Sequence, residues 1–121
     1  TLVRAKTPAR TVVTCDASSL AGLPPGRYRQ WGAELEVLPG GKVVVPGTPY
    51  LAGSGVFTDA CVGTLVRQAG VTLADAVDMA AVRPRELMGL PVPRLEPGAV
   101  ADFVVFHWQP GGDVRVREVL A

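Results

Sequence analysis

The spacing of apolar and polar positions changes several times along the chain, and each stretch of constant spacing predicts an element. Thr11, Val12, Val13, Thr14 and Cys15 form a β-branched, apolar run without polar alternation, the pattern of a strand buried on both faces. The run stops at Asp16, which this reading places at a strand end. Residues 17–27 are rich in Ser, Gly and Pro and predict a loop of the kind that carries sites. Ala33, Leu35 and Val37 then alternate with Glu34 and Glu36, Pro39, Gly40 and Gly41 turn the chain, and Lys42, Val43, Val44 and Val45 return. That pattern predicts a β-hairpin over 33–45. Pro46, Gly47, Thr48 and Pro49 break it, and residues 50–55 make a second loop, apolar but glycine-bearing.

Beyond Ser54 the spacing becomes helical, with Phe57, Cys61 and Leu65 on one stripe, Val62, Val66 and Ala69 beside it, and Gly70 as the stop. A second helix follows at once. Thr72 is its expected N-cap with Asp75 three residues on, and Leu73, Val77, Ala80 and Ala81 give the apolar face. Arg83 and Pro84 close it, since proline disfavours helix in the residue before it and suits the first turn of a new one. A short helix through Leu87 and Met88 ends at Gly89. After a proline-bearing stretch, residues 102–108 predict an apolar strand, 110–112 a turn and 114–119 a last, alternating strand.

Composition narrows the function classes. The 121 residues, 48% of them hydrophobic, suit one compact domain with a real core. Twelve basic and eleven acidic residues are spread along the chain for a net charge of +1, with no basic stripe of the kind that tracks a nucleic acid. No apolar run reaches the length of a membrane span, and the first residues lack the regions of a signal peptide, so a soluble, cytoplasmic protein is expected, without membrane or nucleic-acid partners. Cys15 and Cys61 lack a ligand spacing and read as buried small apolar residues in a reducing compartment. The chain begins at Thr1 without an initiator methionine, which hints at a fragment or a processed product.

Candidate chemistry centres on strand-end loops, where α/β enzymes place their catalytic groups: Asp16 and the loop at 51–54. An aspartate after a strand also serves as a turn or capping residue. Glycines at 53 and 55 let backbone approach a ligand, or merely allow a helix entry at positive φ. A catalytic zinc takes about three protein ligands of the His, Asp, Glu or Cys kind. With His107 as its one histidine, set in an apolar run, the chain shows no metal cluster. A Ser-His-Asp triad would need that same histidine, and no Gly-x-Ser-x-Gly elbow occurs. Arg83, Arg85, Arg94, Arg115 and Arg117 read as solvated or helix-end charges.

Several segments together resemble one family. Thr11-Val-Val-Thr-Cys-Asp-Ala17 is similar to the segment of N-acetylglucosamine-6-phosphate deacetylases in which the last barrel strand ends in the catalytic aspartate. The loop pattern Gly22-Leu-Pro-Pro-Gly26 follows it, as in the family. Gly47-Thr-Pro-Tyr-Leu-Ala-Gly-Ser54 resembles the family's Gly-Thr-Leu-Ala-Gly-Ser segment. Residues 71–81, then Arg83-Pro84 and Met88-Gly-Leu90, resemble its helical stretch, and Pro97-Gly-Ala-Val-Ala-Asp-Phe-Val-Val-Phe106 the strand motif shared across amidohydrolases.

The resemblance implies an α/β chain, the C-terminal part of a metal-dependent (β/α)8 barrel hydrolase together with strands of its small β-sandwich domain. Residues 1–90 would supply the last barrel strand, the site loops, the hairpin and outer helices, and residues 91–121 the sandwich strands. The implied reaction is hydrolysis of the acetamide of N-acetylglucosamine 6-phosphate with a divalent metal, zinc or similar, whose Glu and His ligands have no counterpart here. Asp16 is implied as the catalytic proton-transfer group, and Leu51, Ala52 and Gly53 as substrate contacts. Pro49, Tyr50 and the Arg83-Pro84-Arg85 stretch depart from the family pattern and bear on which sugar is bound. Two other readings stay open: a dihydroorotase-like or deaminase-like branch, and a non-catalytic stand-alone module. A last barrel strand without its neighbours leaves open edges, so the chain is expected to pair with the missing N-terminal part or with further copies of itself.

Overall fold

A computed structural model describes residues 2–121, which fall into two compact units: residues 15–58, and a second unit of 2–14 with 59–121. No helix among the described residues is long and apolar enough to cross a membrane.

The unit of residues 15–58 is built on a three-stranded antiparallel sheet, in the order β1 (Gly26–Gln30), β2 (Ala33–Val37), β3 (Val43–Val44). The hairpin expected from the alternating glutamates is present: Glu36 pairs Val44 and Val37 pairs Val43 around the Pro39–Gly41 turn. Its buried face follows from the period of two, with Leu35 and Val37 inside. Together with Leu20 and Val43 they form the core of this unit, against which Tyr28 and Ala52 pack. β1 was not expected. It occupies the end of the predicted 17–27 loop and continues beyond it, joined to β2 by a two-residue turn at Trp31 and Gly32 with φ of 49° and 81°. Positive φ at both central residues is the geometry that matches the twist of a tight hairpin.

The second unit holds a short helix α1 (Leu2–Lys6) and a single 3-10 turn (Pro8–Arg10). Helix α2 (Thr58–Thr64) starts on the last residue of the other unit and widens into a π-helical turn at Leu65–Ala69. α3 (Leu73–Ala80) and α4 (Val82–Leu87) follow, then β4 (Phe103–His107) and β5 (Arg115–Leu120). Phe57 lies outside the helix expected to include it and is half exposed. Gly70 ends the π-helical turn with φ 67°, as a left-handed cap should. Thr72 caps α3 as read from sequence: its Oγ1 accepts from the Asp75 N–H at 3.1 Å and donates to Asp75 Oδ2 at 2.8 Å. Ala81, at φ −122° and ψ −57°, separates α3 from α4, and Pro84 falls in the first turn of α4, where its missing N–H costs no bond.

The core of this unit joins Val62, Ala76 and Val114, with Leu65, Val66, Val77, Phe106 and Trp108 packed around them. Two arginines read as solvated are paired: Arg83 with Glu86 at 2.7 Å, and Arg85 with Asp102. β4 and β5 form an isolated antiparallel pair, Phe103 opposite Leu120 and His107 opposite Arg115, with a register shift between Val105 and Phe106. Every residue of β5 is exposed, and so is His107. Residues 11–15, expected as a buried strand, join no ladder among the described residues; Val12 is 41% exposed and the Val13 N–H donates to the Met79 carbonyl at 3.0 Å. A strand of parallel type needs neighbours on both edges, and this chain gives the segment none among its described residues.

Candidate active site

Within the unit of residues 15–58, three segments converge: the one around Asp16, the tip of the β2–β3 hairpin, and the loop at 51–56. The link between the first and third is main chain. The Ser54 N–H donates to the Asp16 carbonyl at 2.8 Å, and the Ser18 N–H donates to the Ser54 carbonyl at 2.8 Å, so Ala17 and Ser54 form a short parallel bridge. The loop is fixed to the sheet in turn. The Ala52 N–H donates to the Val43 carbonyl at 2.9 Å, and Val45 bonds the Tyr50 carbonyl at 3.0 Å. The same register that buries Val43 therefore sets where residues 51–54 stand.

Two glycines are required for this approach. Gly53 has φ 93°, and a Cβ there would meet Ser18 Cβ at 3.0 Å. At Gly55 a Cβ would collide with the Gly41 carbonyl, so the hairpin tip and the loop touch through backbone. Asp16 itself sits at φ 50°, a left-handed conformation that aspartate tolerates better than most residues and that still costs on the order of 1 kcal/mol. Non-glycine residues held this way cluster at ligand sites.

The convergence encloses an open cavity of about 540 Å³, lined among others by Cys15, Asp16, Lys42, Leu51, Gly53 and Ser54. Asp16 is exposed, and Leu51, 68% exposed, offers an apolar wall. Three of the four residues singled out from sequence are brought together here: Asp16, Leu51 and Gly53. Ala52 is placed differently, packed against the core of its unit. Sequence reasoning missed Lys42, Gly40 and Gly41 as cavity residues: the Pro-Gly-Gly-Lys turn is legible, but its approach to the loop at 51–56 is not. His107 belongs to the other unit. The start of α2 offers little to an anion, because Asp59 Oδ1 already accepts from the Ala60 N–H at 2.8 Å.

No group of three His, Cys, Asp or Glu residues lies together among the described residues. The described residues therefore do not by themselves make up the three-ligand set of a catalytic metal.

No family model matches the chain. Curated relatives do. A putative N-acetylgalactosamine-6-phosphate deacetylase of Escherichia coli (strain K12) is 38% identical over 97 residues, 78% of this chain and 57% of that protein. The N-acetylglucosamine-6-phosphate deacetylase of Danio rerio is 36% identical over 100 residues, 81% of this chain and 24% of that protein. The crystal structure of N-acetyl-D-glucosamine-6-phosphate deacetylase from Mycobacterium smegmatis superposes with a TM-score of 0.80 at 31% identity, over 98% of this chain and 31% of that one. This chain is homologous to a segment of these deacetylases. It spans between a quarter and somewhat over half the length of the relatives it matches. A second deacetylase structure from the same organism, in complex with N-acetyl-D-glucosamine-6-phosphate, superposes with a TM-score of 0.72 at 30% identity. The deacetylase from Pasteurella multocida, 19% identical with a TM-score of 0.71, agrees in fold.

Proposed function

We propose that this chain is the C-terminal part of an amidohydrolase that removes the acetyl group from N-acetylglucosamine 6-phosphate, giving glucosamine 6-phosphate and acetate. In this reading residues 1–90 complete a (β/α)8 barrel and its outer helices, residues 91–121 contribute strands to a β-sandwich, and the protein works in the cytoplasm. The divalent metal is held by the rest of the enzyme, with which this chain pairs. The partly exposed segment at 11–15 and the exposed β5 are the surfaces that such a partner would cover. Names of the relatives include both the glucosamine and the galactosamine epimers, so both sugars belong in the assay.

The observation that carries the reading is the bond from the Ser54 N–H to the Asp16 carbonyl. It sets the aspartate beside the Leu51-Ala-Gly-Ser54 segment, on one cavity. Asp16 takes the proton of the attacking water as the new C–O bond forms at the acetamide carbonyl. It then returns that proton to the sugar nitrogen as the C–N bond breaks. Leu51 and Gly53 contact the acetylated sugar.

The test is hydrolysis of both N-acetylhexosamine 6-phosphates by the full-length gene product, wild type against Asp16→Asn, with metal content measured. Asp16→Asn should lower kcat by about 10²- to 10⁴-fold with metal retained. Unchanged turnover would remove Asp16 from the reaction.

A further inference from the structure

Phe57 stands just before α2, at the end of the segment that begins with Leu51. A turn sets its direction, in which Ser54 Oγ accepts from the Val56 N–H at 3.1 Å. The ring lies over Gly22, where a Cβ would meet Cε2 at 3.3 Å and Cζ at 3.4 Å. Gly22 also has φ 80°, so both its backbone and the ring above it call for glycine. Phe57 is 54% exposed and is not among the residues that pack on the core of its unit, so its packing serves the loop.

The loop that runs from Asp16 to β1 is tied down at every second residue. The Ser18 N–H bonds the Ser54 carbonyl at 2.8 Å, Leu20 enters the core, Gly22 sits beneath Phe57, and the Pro24 carbonyl accepts from the Tyr28 hydroxyl at 2.8 Å. Each tie is made inside residues 15–58. Asp16 precedes the first of them and is held at φ 50°, a conformation that persists only where the surroundings over-determine it. Segment 51–57 grips the loop twice, through backbone at Ser54 and through a side chain at Phe57. We infer that Phe57 is a positioning residue: by pinning Gly22 it keeps the loop against the 51–57 segment and so holds the backbone of Asp16 left-handed beside the cavity. The effect on rate rests on the proposed reaction, whereas the pin itself does not.

The experiment uses the full-length gene product and reads the loop and the reaction separately. In Phe57→Ala, hydrogen exchange at the Ser18 and Ala21 amides, which bond the Ser54 and Ser18 carbonyls, should speed up about tenfold. In the same variant, kcat per folded, metal-loaded molecule should fall about tenfold with KM changed less than about twofold, because the reacting group is displaced and the sugar contacts are not. Phe57→Leu keeps an apolar side chain over Gly22 and should recover most of both. Gly22→Ala should lower kcat, and by less when combined with Phe57→Ala, since the added methyl then has no ring to meet. A merely structural role would lower the folded fraction and leave kcat per folded molecule as in wild type. That result overturns the proposal, as does unchanged exchange at Ser18 or strict additivity of the two substitutions. If wild type hydrolyses neither N-acetylhexosamine 6-phosphate, the proposed reaction falls; faster exchange at Ser18 in Phe57→Ala then still upholds the pin, and unchanged exchange removes it.

Discussion

The β2–β3 and β4–β5 hairpins carry regularly placed valines in opposite environments. β2 alternates apolar and acidic residues and buries its apolar face against β3, with Val43 fully enclosed and Val37 nearly so. β4–β5 also carries valine at regular positions, yet Val104 and Val105 are each 47% exposed and Val119 is 64% exposed. Alternation predicts a strand in both cases. Whether the apolar face is covered depends on what else the chain brings to it. The first hairpin has Leu20 and Ala52 from loops of its own unit, whereas of the strand residues of the second only Phe106 enters the cluster around Val62 and Ala76, next to Trp108 and Val114 of its connection. A two-stranded ribbon of this kind is marginal by itself.

The contrast can be broken by mutation. Leu35→Ala should destabilise the chain by about 2–5 kcal/mol in urea denaturation, because it opens a cavity in the enclosed hairpin. If the loss were under about 0.5 kcal/mol, a typical surface value, the two hairpins would not differ. Gly53→Ala should cost about 1–3 kcal/mol through its positive φ and the 3.0 Å approach to Ser18, and should speed hydrogen exchange at the Ser54 amide; an unchanged exchange rate would mean that Gly53 does not hold the bridge. Thr72→Ala, outside both hairpins, should cost about 1 kcal/mol by loss of the α3 cap, and gives a yardstick between them. Val119→Ala should change the stability of this chain by less than about 0.5 kcal/mol. The same substitution in the full-length protein should cost clearly more if the rest of the enzyme covers β5, and equal small values in both would argue against that cover.

Much of the fold is legible wherever a local rule suffices. The Glu34 and Glu36 alternation with its Pro-Gly-Gly turn, the Thr72 cap and the Gly70 stop all act over a few residues, and all are present. β1 was hidden because Gly26-Arg-Tyr-Arg-Gln30 has one aromatic among charged residues and opens on glycine; pairing with β2 makes it a strand. Residues 11–15 failed in the other direction, since their β-branched run has strand propensity but no edge to join among the described residues. At the site, Asp16 and the loop at 51–54 were singled out as strand-end positions and again by family resemblance, and Asp16, Leu51 and Gly53 line one cavity. Lys42 was not singled out, because nothing in its own sequence neighbourhood says that the turn meets the Gly55 loop.

The bridge between Asp16 and Ser54 is made by peptide groups, and this has a consequence for variation among related proteins. Position 54 should accept a wide range of side chains while the aspartate stays in place, at the small expense of the Ser54 hydroxyl bond to the Val56 N–H at 3.1 Å. Proline is the exception, having no N–H to donate. A selection experiment that scores every residue at 54 should therefore show broad tolerance with one sharp gap, a profile unlike that of a residue conserved for its chemistry.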